Sequence, residues 1–270
     1  MTDTGFFKSA GESLSYSCTV PHGGRKAQGV LFVHAGGGNR LGPHRMFVEF
    51  ARKFNELGYP TFRFDLTGCG DSTGTEDGDA QGEIRDVGAA ADTFARCAAV
   101  EKLILFGISR GAWISFLAMA QEEMSVAGAV LLSAPVSDGK AAAQAFVNRA
   151  KEYVCKLGDA KYLRKLLGGK VNLRQIGRTL LHAANSSQRY ESPNISMKSK
   201  CPVLLIYGGN DPIVKESRAY YTGRCEENGL SSGCRVIENA NHSFFHYKWK
   251  EQIFDITRGW LESTIGTNEK

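Results

Sequence analysis

No apolar run in this 270-residue chain approaches the roughly 18 residues a membrane-crossing helix needs. The first residues, Met1-Thr2-Asp3-Thr4-Gly5, lack a basic stretch followed by an apolar one, so no secretory signal is expected. The seven cysteines are an odd number, with neither paired nor metal-site spacing. That is the pattern of reduced thiols, and with the missing signal it leads to an expected cytoplasmic location. Cys97 and Cys201 read as core or near-core residues. Internal repeats and low-complexity tracts are absent, and only residues 266–270 read as a frayed tail. Charge is nearly balanced: a net +5 permits attraction to acidic partners without itself indicating nucleic acid. What remains is an ordinary globular composition, 42% hydrophobic and 23% charged, long enough for one sizeable core.

Strand and helix patterns alternate along the chain. Phe6–Lys8 and Leu14–Val20 read as an antiparallel pair at a sheet edge, around Gly11. Val30–Val33, Thr61–Phe64, Leu103–Phe106, Ala129–Ser133, Pro202–Tyr207 and Cys234–Ile237 read as strands, most of them short apolar runs typical of burial on both faces. Helices are expected over Arg45–Leu57 (ended by Gly58), Glu83–Ala98, Ala112–Ala120, Lys215–Glu227 and Trp249–Leu261. This alternation specifies an α/β fold, with a mostly parallel central sheet, helices on both faces and active groups at the carboxyl ends of the strands. The pattern breaks after Pro135. Residues 138–200 hold helical segments and no buried strand, and read as an inserted helical cap between core halves 1–137 and 201–270.

The chemistry centres on Gly107-Ile108-Ser109-Arg110-Gly111, placed between a buried strand and a helix. Gly-x-Ser-x-Gly in that context is a nucleophile elbow. The serine takes a strained backbone conformation, and a Cβ on either glycine would collide with the adjoining strand or helix. The turn lifts the Ser109 hydroxyl above the sheet and aims the Arg110 N–H at the same point. A serine needs a base, and the base an orienting acid. Asp211 follows a buried strand in Gly209-Asn210-Asp211-Pro212; its blander reading is a helix cap. His242 lies in Asn241-His242-Ser243-Phe244 after the last strand. The rival base, His246, falls at or inside the last helix, where it is less free to reach Ser109.

With these motifs in the order serine, acid, histidine, the chain resembles the α/β-hydrolases over nearly its whole length. The Asp65-Leu66-Thr67-Gly68-Cys69-Gly70-Asp71-Ser72 loop belongs to the same resemblance. Gly42-Pro43-His44-Arg45-Met46-Phe47, with Phe64-Asp65 and Gly70-Asp71-Ser72, is similar to hydrolases associated with bacterial exosortase and exopolysaccharide gene sets. The family places a second oxyanion donor just after the first central strand, often in a His-Gly sequence. Here the segment is His34-Ala35-Gly36-Gly37-Gly38, so Ala35 departs from the pattern; Gly36 is the first choice of donor and Gly37 the second. A phosphate cradle is disfavoured because no Lys-Ser/Thr follows the glycines. His34 reads as a hydrogen-bonder that shapes the loop. His44 and Arg45 either line the pocket mouth or cap the following helix. Gly37, His44 and Trp113 are the expected substrate contacts.

The expected activity is a serine hydrolase acting on a carboxylic ester or thioester, with no metal or organic cofactor. Acyl transfer and aminopeptidase action use the same three residues, and a catalytically silent binding module is the rival from another class. Residues 138–200 carry 13 Lys and Arg against four Asp and Glu, a local +9. They read either as a solvated face or as a basic rim that attracts an anionic small-molecule or carrier-bound acyl substrate.

Overall fold

A computed structural model describes residues 2–76, 78–120, 124–136, 197 and 200–265. The chain divides into two units, Met1–Pro135 with Ile195–Lys270, and Val136–Asn194. Nearly all of the second unit lies outside the described residues. So does the helical cap expected over 138–200, apart from Met197 and Lys200.

Eight strands are described: β1 Thr2–Ser9, β2 Glu12–Thr19, β3 Gln28–Val33, β4 Thr61–Phe64, β5 Lys102–Ile108, β6 Val126–Leu132, β7 Val203–Gly208 and β8 Ser232–Ile237. They form one sheet in the order β1-β2-β4-β3-β5-β6-β7-β8. β1 pairs antiparallel with β2, and β2 with β4, while every later pairing is parallel. The β1–β2 hairpin turns through Ala10 (φ 47°) and Gly11 (φ 92°), the doubly positive φ of a tight turn whose twist matches the strands.

The α-helices among the described residues are α1 Met46–Glu56, α2 Ala80–Ala98, α3 Arg110–Ala118, α4 Val214–Glu227 and α5 Tyr247–Trp260. Residues alternate between the two faces of each strand. Val30, Phe32, Ile104, Phe106 and Val130 join Phe47, Phe50 and Phe54 of α1 and Ile253 and Phe254 of α5 in one buried cluster. On the other face, Phe62 packs against Phe94 of α2 at 5.3 Å between ring centroids, and Phe116 of α3 meets Tyr221 of α4 at 5.0 Å. Both faces are therefore covered, and the loops that can carry chemistry emerge at the carboxyl ends of β3, β5, β7 and β8.

Among the boundaries that differ from the sequence reading, two helix starts have local reasons. α2 begins three residues before Glu83 because Asp79 caps it, accepting the N–H groups of Gln81 and Gly82 at 3.1 and 2.9 Å. α5 begins at Tyr247, capped by His246. Cys201 is buried as expected, but Cys97 is exposed. It falls off the stripe of Ile84, Val87, Ala91, Phe94 and Ala98 that α2 buries. Among the described residues no helix is long and apolar enough to cross a membrane.

Candidate active site

β5 ends at Ile108 and α3 starts at Arg110, so Ser109 alone makes the turn, with φ 53° and ψ −126°. A non-glycine residue there stores strain on the order of 1–3 kcal/mol and persists only because its surroundings hold it. The flanking glycines provide that room. A Cβ on Gly107 would stand 2.5 Å from the Gly111 carbonyl oxygen, and one on Gly111 would stand 2.2 Å from the Val33 carbonyl oxygen.

The β7 and β8 loops are stitched together before they reach Ser109. Gly209 N–H donates to the Ile237 carbonyl at 2.8 Å and Asn210 N–H to the Ala240 carbonyl at 2.9 Å. A Cβ on Gly208 would lie 2.4 Å from that same Ala240 oxygen, so only glycine permits the approach. This seam sets Asp211 beside His242. The Asp211 Oδ2 lies 2.8 Å from His242 Nδ1, and His242 Nε2 lies 2.9 Å from Ser109 Oγ. Asp211 also keeps the capping contact of its blander reading, since Oδ1 accepts the Ile213 N–H at 3.2 Å.

Burial pulls the Asp211 carboxyl upward, but the hydrogen bond and charge of His242 outweigh it. With help from the Ile213 N–H, they hold it below its ordinary value. An ionised Asp211 only accepts, so the proton on His242 belongs on Nδ1 and Nε2 is left to accept from the Ser109 hydroxyl. Asp211 is 2% exposed, whereas the His242 side chain is 41% exposed. The carboxylate is thus sequestered while the imidazole remains reachable. His246 is occupied elsewhere, its Nδ1 accepting the Lys248 N–H at 3.2 Å at the start of α5.

His34 shapes the Gly-rich loop. Its Nε2 accepts the Leu66 N–H at 3.0 Å and its Nδ1 donates to the Ala35 carbonyl at 2.7 Å. Burial pushes its pKa down against the opposing pull of the Ala35 carbonyl and nearby carboxylates, keeping the ring neutral. Gly36 packs beside the Arg110 side chain, whose Cδ would be 3.1 Å from an added Cβ. Gly37, by contrast, donates its N–H to Glu76 Oε1 at 2.6 Å, so it does not supply a spare amide to a ligand. Among the described residues the Gly36 N–H has no acceptor.

The other expected substrate contacts separate. His44 is exposed before α1 and meets Phe245 edge-on at 6.2 Å. Trp113 is 3% exposed, and its ring packs 5.3 Å from the Arg110 guanidinium, which is itself held by Glu83 at 2.8 and 2.9 Å. Sequence reasoning also missed Glu76, which carries no motif and binds the Gly37 N–H.

A family model described as "Alpha/beta hydrolase family" matches residues 30–256. A search of curated protein sequences returned no match. Among solved structures, an esterase of Pyrococcus furiosus superposes with a TM-score of 0.74 at 18% identity, over 98% of this chain and 92% of its own. Est1E from Butyrivibrio proteoclasticus, solved with ferulic acid bound, gives 0.68 at 17% identity, over 97% of this chain and 99% of its own. A proline iminopeptidase of Mycobacterium smegmatis gives 0.66 at 14% identity, over 97% and 98%.

Proposed function

The chain belongs to the alpha/beta hydrolase family, and from that premise we propose that it is a serine hydrolase cleaving a carboxylic ester or thioester. One observation carries the reading. A serine on a strained elbow lies 2.9 Å from an imidazole nitrogen whose other nitrogen is 2.8 Å from a buried carboxylate.

The chemistry follows from that chain of bonds. Ser109 Oγ attacks the carbonyl carbon as His242 Nε2 takes its proton. Asp211, still ionised, stabilises the imidazolium by its bond to Nδ1. The oxyanion is received by the backbone N–H groups of Gly36 and Arg110, at the start of α3, where the helix dipole favours negative charge. Collapse breaks the carbonyl bond to the leaving oxygen or sulfur, which takes the proton from His242. Water then attacks the acyl-serine, giving its proton to His242. The second collapse releases the acid and returns that proton to Ser109. The Gly36 amide, uncommitted among the described residues beside a Gly37 amide already bonded, supports Gly36 as the second donor.

A fluorophosphonate probe followed by peptide mapping tests this reading. It should modify Ser109 alone, and a panel of p-nitrophenyl esters, acyl-CoA thioesters and aminoacyl amides should reveal the acyl class. Labelling of a different residue, or none in protein that turns the panel over, would overturn the assignment.

A further inference from the structure

We infer that Glu76 is a positioning residue that holds the Gly36 amide at the oxyanion site, an inference that rests on the serine-hydrolase reading above.

Three glycines in a row, Gly36-Gly37-Gly38, follow β3 beside the nucleophile. Such a segment has wide conformational freedom, yet an oxyanion donor is effective only when held close to its productive position. The restraint comes from the neighbouring loop, at three points. His34 Nε2 accepts the Leu66 N–H at 3.0 Å. Glu76 Oε1 accepts the Gly37 N–H at 2.6 Å. Asp65 Oδ1 accepts the Arg40 N–H at 2.5 Å, and the Arg40 guanidinium pairs with both Asp65 and Asp71. Gly36 sits inside this span with its own N–H uncommitted among the described residues.

Of the three ties, only the one from Glu76 grips the glycines themselves, on the amide adjacent to Gly36. Its oxygen would stand 3.6 Å from a Cβ at Gly36. The carboxylate is delivered by a tightly folded loop. A Cβ on Gly68 (φ 73°) would come within 2.1 Å of the Glu76 backbone nitrogen, so the chain closes on itself there. The Gly38 N–H donates to the Ala35 carbonyl at 3.0 Å, so by occupying the Gly37 N–H Glu76 leaves Gly36 as the uncommitted amide of the glycine run among the described residues.

The test is steady-state kinetics on the best ester, with wild type, Glu76→Ala, Glu76→Gln and Ser109→Ala, beside inhibition by a trifluoromethyl ketone of matching chain. That ketone traps a tetrahedral oxyanion on the serine. Glu76→Ala should lose about 10- to 100-fold in kcat with KM little changed. Its inhibition constant should rise in the same proportion as kcat/KM falls. Glu76→Gln retains an acceptor oxygen and should restore the rate to within about threefold of wild type. If Glu76→Ala does not yield folded protein, judged by its melting transition, Glu76→Ser, too short to reach Gly37, takes its place. An Ala or Ser variant within about twofold of wild type in kcat and inhibition would overturn the inference, as would a Gln variant as slow as Ala. Substantial turnover by Ser109→Ala would instead strike the serine-hydrolase reading itself.

Discussion

At the scale of single residues, His242 and His246 are four positions apart in sequence and opposite in employment. The first bridges Ser109 and Asp211, and the second caps α5. His242→Ala should therefore be nearly as damaging as Ser109→Ala, and combining the two should add little, because the residues act as a unit. His246→Ala should lose far less activity; a reversed order in ester kinetics would move the base to His246. This contrast was legible in the sequence, since a base must stand on a loop and His246 fell at a helix start. Glu76 was not legible, because its partner is a backbone amide that only loop geometry identifies. A second prediction concerns His34, whose folded pKa is lowered by burial. Below the ordinary imidazole value the unfolded chain takes a proton that the folded ring refuses. Stability is then complete above about pH 6.5 and falls below it by up to ~1.4 kcal/mol per pH unit. Denaturant melts across pH 7 to 5 should show this slope, and His34→Gln should lack it.

At the scale of elements, the glycines separate into those that admit no side chain and those that merely tolerate having none. Gly111 faces the Val33 carbonyl oxygen at 2.2 Å from a virtual Cβ, while Gly88, inside α2, has open space around its position. Gly111→Ala should cost at least about 3 kcal/mol or prevent folding. Gly88→Ala should stabilise by about 0.5–1 kcal/mol by removing unfolded-state freedom and favouring helix. Chemical denaturation of the two variants checks both signs, and a similar cost at the two sites would contradict the steric account of the elbow. Strands and helices were readable here because fully buried runs such as Val203–Gly208 and the α2 stripe have clear periodicities. Helix starts were less so: Asp79 caps through a side chain whose partners, Gln81 and Gly82, give no apolar signal.

At the scale of the whole molecule, the parallel sheet brings residues from positions 36, 109, 211 and 242 to its carboxyl edge, an outcome of topology that chain order alone foreshadowed. The charge of residues 138–200, +9 in a chain of +5, makes a further prediction. If that segment steers an anionic substrate, kcat/KM for an acidic ester should fall steeply with salt, because such attraction is screened over about 8 Å at physiological ionic strength. A neutral ester of equal length should barely respond. Equal, flat responses would reduce the segment to a solvated face. The central claim, that Ser109 is the nucleophile, is tested most directly by kcat/KM of Ser109→Ala on the best ester found. The account predicts a loss of at least about 10³-fold with an unchanged melting transition, and a variant keeping more than about a tenth of wild-type activity would contradict it.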